Sequence, residues 1–210
     1  MICVISVNLC FEICRRQGQP VYLIKIKAMK LKHFTLLACL LCISTIVAAQ
    51  KKTTTPGILS AALMVAAKEK KNVIVIFHAS WCGWCHKMDS SMTDVSCSKM
   101  FRSNYITCHL TVDESAENKK LETPGAAAFR KIYHGEKEGL PFWLILDKDG
   151  KLLADSRMLA AGETVAKAGT NTGCPASKEE VAYFISVLKK TSKLNDDELQ
   201  IIGERFSKNN

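Results

Sequence analysis

The chain has 210 residues and no internal repeat, which argues against a repeat array. It also has no long apolar run of the kind that crosses a membrane. The stretch 34–47 is apolar, but it falls short of the ~20 residues that a spanning helix needs. One cysteine pair, Cys82 and Cys85, has the spacing of half a zinc finger. No second pair stands at finger distance, so a zinc site would need ligands from elsewhere, and no metal is expected. Acidic residues are outnumbered, 20 against 29 Lys and Arg, for a net charge of +9. The excess is concentrated in the first 49 residues, which hold six basic residues and one acidic one. The remainder carries 23 − 19 = +4, an ordinary surface with no basic footprint for nucleic acid. No stretch reads as a dimerisation domain, and a monomer is expected.

What is present begins with a leader. Lys30 and Lys32, the apolar run 34–47 and the small residues Val47, Ala48 and Ala49 before Gln50 read as a secretory signal over 29–49. Met29 is then the initiator, and 1–28 is an untranslated or disordered extension. A longer signal or short membrane anchor is the alternative, and Cys39 offers a weaker lipidation reading. Export leads to an oxidising compartment, the periplasm, where disulfide chemistry is at home. Residues 50–57 read as a linker, 58–190 as the main domain and 191–210 as a helical extension.

Within the main domain, the run 72–77 is short, apolar and β-branched, the pattern of a fully buried strand. Cys82-Gly83-Trp84-Cys85-His86 follows, and nothing in 85–89 breaks a helix. The two cysteines therefore sit where a buried strand turns into a helix. There the helix dipole and free backbone N–H groups favour a thiolate at Cys82. Cys82 becomes the attacking sulfur and Cys85 the resolving one.

The segment 77–85, Phe-His-Ala-Ser-Trp-Cys-Gly-Trp-Cys, resembles the active-site segment of thioredoxin-like proteins. A second match runs over 139–151, beginning Gly139-Leu140-Pro141. Between them, 105–114 is similar to the family's central strand and ends in Val112-Asp113. The resemblance spans roughly 58–188 and points to the exported, disulfide-isomerase-like branch. It implies an α/β thioredoxin-like fold, a central mixed sheet flanked by helices, to which the residues beyond the resemblance add an extra C-terminal helix. It implies a cis Pro141 facing the CxxC and a thiol–disulfide oxidoreductase, either reductase or isomerase. Trp81, Gly83, Trp84, Leu140 and Pro141 would then line the substrate groove. The redox-active disulfide Cys82–Cys85 is the redox group itself, so no cofactor is expected. Partners of this chemistry are cysteine-containing exported proteins and an upstream redox partner.

Two departures from the family pattern bear on mechanism. The acidic residue that thioredoxins carry six positions before the first cysteine is Ile76 here, and the neighbouring lysine aligns with His109. His109 is therefore a candidate for proton transfer near Cys85, set against a histidine with no role. His86 is a second candidate for proton transfer and, if charged, for stabilising a thiolate. Two other functions compete with exchange. One is a client-binding, chaperone-like module with redox chemistry secondary. The other is a haem-bearing electron carrier, since C-x-x-C-H is also the attachment motif of c-type haem; the strand, Trp81 and the distant Gly-Leu-Pro give that reading no support.

Around this centre, 58–70 shows a helix period with Leu59, Leu63 and Ala66 on one face. Residues 94–104 read as a helix with Val95, Met100 and Phe101 apolar, and 126–133 as one offering Phe129, Ile132 and Tyr133 to the core. A hairpin is expected from 142–146 and 151–154 about Asp147-Lys148-Asp149-Gly150. Residues 157–175 read as an edge insertion. Ser177 with Glu180, and Asn195 with Glu198, are capping boxes for two final helices. Of the cysteines outside the leader, Cys97 and Cys108 read as small buried residues, with a mutual bridge as the alternative, and Cys174 as a loose loop thiol.

Overall fold

A computed structural model describes residues 54–158 and 169–209. The leader, the extension before it and Cys39 lie outside them, as does the middle of the 157–175 insertion.

The first helix, α1 (Thr55–Glu69), begins inside the stretch expected as linker, with a proline in its first turn. Proline suits that position because its missing N–H has no helical partner there anyway. Ala62 and Ala66 are buried and let the helix lie close on the sheet. It ends at Lys70 in the left-handed conformation, whose N–H bonds back to the Ala66 carbonyl. Strand β1 (Asn72–His78) follows and is buried along its length. Its alternate residues serve two cores: Ile74 and Ile76 face one, Val73, Val75 and Phe77 the other.

After helix α2 (Gly83–Thr93) and the short α3 (Ser98–Asn104), the chain returns as β2 (Tyr105–Thr111), parallel to β1. A 3₁₀ turn (Ala116–Leu121) and α4 (Ala126–Ile132) lead to β3 (Phe142–Leu146), antiparallel to β1, and then β4 (Leu152–Asp155). The sheet order is β2-β1-β3-β4. The mixed sheet with helices on both faces is the expected architecture, but β2 lies at its edge rather than its centre. Its alternation agrees with that place: Thr107 and His109 are exposed while Tyr105, Cys108 and Leu110 are buried. At the hairpin, Asp147 Oδ1 accepts the N–H groups of Asp149 and Lys151, both at 2.9 Å, and Gly150 takes a positive φ of 84°. That conformation is open to glycine at little cost.

The 157–175 segment contributes a small ladder, β5 (Arg157–Met158) with β6 (Thr170–Asn171). Arg157 forms a buried ion pair with Asp155 and donates to the Tyr133 carbonyl at 3.0 Å. Helix α5 (Lys178–Thr191) and helix α6 (Asp196–Phe206) both start on the expected capping boxes. Phe101, Trp143, Phe184 and Phe206 pack as one aromatic group, with centroid separations of 4.9–6.3 Å. Leu199, Ile202 and Phe206 place α6 in the same core as β1 and β3.

Several expectations change. Val95 is 97 % exposed, because 94–97 form a turn in which the Asp94 carboxylate accepts from Ser96; the helix starts only at Ser98. Ile132 is 68 % exposed at the end of α4. Cys174 is not a loose thiol but is buried, with Asn209 Nδ2 donating to its sulfur at 3.4 Å. Cys97 and Cys108 are free, buried and in opposite cores, so the sheet separates them and they form no bridge.

Candidate active site

Strand β1 ends at His78 and α2 begins at Gly83. Cys82 is the N-cap of α2, its sulfur accepting the Cys85 N–H at 3.1 Å. Side-chain acceptors are favoured at this place because the first turn of a helix leaves N–H groups unpaired. Cys82 and Cys85 form a disulfide, with Cα atoms 5.3 Å apart. The bridge is covered: Cys82 is 3 % and Cys85 1 % exposed, in a small cluster with Ala79 against which Leu140 packs. Leu140 precedes Pro141 through a cis peptide. Both sulfurs are joined to each other beneath this cover, and His86 is hydrogen-bonded to the Ser80 carbonyl at 3.1 Å.

Trp81 and Trp84 flank the disulfide and are 61 % and 47 % exposed. Trp81 is nonetheless anchored, its indole N–H donating to the Asp113 carbonyl at 2.8 Å. The Lys87 ammonium lies 4.2 Å from the centre of the Trp84 ring and also donates to the Asn209 carbonyl at 3.0 Å. Gly83 is exposed in the first turn of α2 with open space around it.

The histidines gather on one side of α2. His109 Nε2 stands 2.8 Å from Asp89 Oδ1, and its ring meets that of His78 edge-on at 5.3 Å. Asp89 lies four residues past Cys85, so His109 is tied to the active-site helix through a carboxylate. His78 is half-buried and held below the usual 6.5 by loss of water, then by the neighbouring His109. Ile76, in the place of the family's acidic residue, is 1 % exposed and contributes only to packing.

Other residues here escape a sequence reading. Glu114 is 7 % exposed and accepts two hydrogen bonds from Ser80. Its partner lies 34 positions away, and the only local signal is the end of an apolar strand at Val112-Asp113-Glu114. Burial pushes the thiols of Cys108 and Cys174 up to about 11 and about 12, and that of Cys97 upward. A thiol so raised carries little thiolate at neutral pH. Among the described residues, no group of three or more His, Cys, Asp or Glu could hold a metal ion.

A disulfide at the N-terminus of a helix, covered by the residue before a cis proline, on a four-stranded mixed sheet, defines a thioredoxin-like redox domain. Residues 55–148 match the model of the thioredoxin-like family. No curated protein matches the chain by sequence. Among solved structures, the chain is similar to the disulphide isomerase from Xylella fastidiosa Temecula1, at 16 % identity over 71 % of this chain and 86 % of that one, with a TM-score of 0.40. It is also similar to a putative protein disulfide isomerase from Bacteroides thetaiotaomicron, at 19 % identity, 62 % and 79 % coverage and a TM-score of 0.36. The C-terminal domain of Neisseria meningitidis DsbD gives 21 % identity, 50 % and 84 % coverage and a TM-score of 0.35.

Proposed function

We propose that the chain is an exported thiol–disulfide oxidoreductase acting on cysteine-containing proteins, as a reductase or isomerase. The observation that carries this is the Cys82–Cys85 disulfide capping α2 beneath Leu140, the residue that precedes the cis Pro141. In the reduced protein, the Cys82 thiolate attacks one sulfur of a client disulfide. A Cys82–client bond forms, the client S–S bond breaks, and one client thiolate leaves. The Cys85 thiolate then attacks the Cys82 sulfur, closing Cys82–Cys85 and releasing the second client thiol. Two electrons pass from protein to client, and the reverse sequence oxidises a client dithiol.

Trp81 and Trp84 supply apolar contact for the client chain. Gly83 leaves room beside the sulfur, and the backbone around Leu140-Pro141 pairs with the bound segment. The disulfide is the redox group, with no other cofactor. An upstream redox partner resets the pair, and the chain works as a monomer. The leader directs it to the periplasm. Among the described residues no helix is long and apolar enough to cross a membrane.

The test is trapping. A Cys85→Ser protein, produced in cells with its own leader, should accumulate mixed disulfides through Cys82 that vanish on reduction and are absent from Cys82→Ser. Capture of no client by Cys85→Ser would refute exchange with proteins. The exposure of both tryptophans favours one second reading, a client-holding module. It requires the Cys82→Ser/Cys85→Ser protein to restore function fully in cells.

A further inference from the structure

The turn after β2 carries contacts that the thiol chemistry does not use. Glu114 is a buried carboxylate, 7 % exposed. Its Oε1 accepts the Ser80 backbone N–H and its Oε2 the Ser80 hydroxyl, each at 2.7 Å. Both bonds go to one residue of the link between β1 and α2, two positions before Cys82. Cys82 itself closes that link, its N–H donating to the Ala79 carbonyl at 3.1 Å. Next to Glu114, Asp113 adopts a positive φ of 53°, a conformation uncommon for a residue with a side chain, though less so for Asp, that its surroundings hold. The surroundings are visible. The Asp113 carbonyl accepts the Trp81 indole N–H at 2.8 Å, and its carboxylate pairs with Arg130 at 2.8 Å. The Arg130 side chain is 4 % exposed. The Glu114 N–H is in turn taken by Glu122 at 3.1 Å.

We infer that Asp113 and Glu114 form a positioning clamp, which fixes Ser80 and Trp81 and thereby sets the approach of a client chain and the charge around the Cys82 sulfur. The inference rests on the exchange reaction proposed above and assigns it two positioning residues. Glu114 touches neither client nor sulfur; it acts through Ser80. A link held at its middle keeps Cys82 in one place whether its sulfur is bridged or free, so little reorganisation accompanies each step. The clamp also has a sign. A carboxylate near Cys82 opposes a thiolate there, whereas the helix N-terminus and Lys87 favour it. The other charged or titratable groups around the link are His86 and Asp89 on α2, His78 on β1, Glu122 with its partner Lys119, and the Asp113–Arg130 pair.

Charge and geometry separate by substitution. In Glu114→Gln, the amide oxygen can accept from the Ser80 N–H and the amide N–H₂ can donate to the Ser80 hydroxyl, so the clamp is kept and its charge lost. Glu114→Ala loses both, and Ser80→Ala loses one bond of two. The expected result for Glu114→Gln is that alkylation of Cys82 in the reduced protein moves to lower pH. Its equilibrium with glutathione should shift toward the dithiol by about three- to tenfold, at most about 30 mV for a two-electron couple. Glu114→Ala should show the same shift. It should also lose about tenfold or more in kcat/KM for a protein disulfide, with a much smaller loss for a small disulfide that needs no contact with Trp81. Glu114→Gln should restore most of that loss.

If Glu114→Gln moves neither the alkylation profile nor the glutathione equilibrium, the assignment of charge is wrong. If Glu114→Ala slows protein and small disulfides alike, the clamp does not position the client. Should Glu114→Ala fail to fold, Glu114→Gln and Ser80→Ala decide by the same readings. The alkylation profile requires no turnover, so it tests the clamp even in a protein that exchanges with no client, an outcome that would instead overturn the proposed function.

Discussion

The ammonium of Lys87 sits 4.2 Å from the centre of the Trp84 ring, joining the residue between the two cysteines to the next turn of the same helix. The contact covers one face of an otherwise exposed indole. A cation over an aromatic face at an exposed site contributes about 0.5–1 kcal/mol. Lys87→Met keeps much of the stem but removes the charge and the bond to the Asn209 carbonyl. It should lower stability to urea by about 1 kcal/mol and make Trp84 fluorescence more accessible to a neutral quencher. Unchanged quenching would mean that the lysine does not restrain the ring.

Helix α6 is part of the domain rather than an appendage. Phe206 is fully buried, with its ring centre 4.9 Å from that of Phe184. Truncating a buried phenylalanine removes its transfer free energy and leaves a cavity, about 3–5 kcal/mol. Phe206→Ala should therefore destabilise the whole domain in one cooperative transition, seen as a fall in the urea midpoint with little change in slope. A loss below about 1 kcal/mol would show that α6 folds apart from the sheet.

His78 makes stability depend on pH. Its pKa is lowered from 6.5 by burial first and by His109 second, against opposing pulls from Asp89 and Glu114. As pH falls below 6.5 the unfolded chain takes up the proton before the folded one. The contribution of the neutral His78 to stability is therefore whole above 6.5 and declines below it. Urea melts between pH 7.5 and 5 should show that decline, and His78→Asn should flatten it. An equal slope in both proteins would place the acid sensitivity elsewhere.

Cysteine reactivity should divide sharply. Cys82 is no more exposed than Cys108, but it caps the N-terminus of α2, whereas burial raises the thiols of Cys97, Cys108 and Cys174, so an alkylating agent at pH 7 should mark Cys82 first in the reduced native protein. The other three should be marked only on unfolding, as read by peptide mapping. Rapid native labelling of Cys174 would contradict its burial against Asn209.

Where the determining contacts are local or fill both faces of an element, the sequence was readable. The β-branched run of β1 declares burial on two faces, and the boxes Ser177–Glu180 and Asn195–Glu198 act within one turn. Cys82 and Cys85 carry their spacing in plain view. What escaped depends on distant partners. Glu114 finds Ser80 across 34 residues, and Cys174 is covered by Asn209 across 35. Val95 and Ile132 look like core residues by type, but a turn and a helix end leave them in water. The edge position of β2 is written in Thr107 and His109, polar residues that alternate with buried neighbours.

The most direct test of the account is the reduction potential of the Cys82–Cys85 pair, by equilibration with glutathione or dithiothreitol and trapping of thiols. The account predicts a reversible two-electron couple between about −270 and −120 mV, the range of proteins that exchange disulfides. A value toward the lower end would mark an electron donor, and one toward the upper end an isomerase or oxidase. A pair that does not cycle, or one that is reduced only below about −300 mV as structural disulfides are, would contradict it.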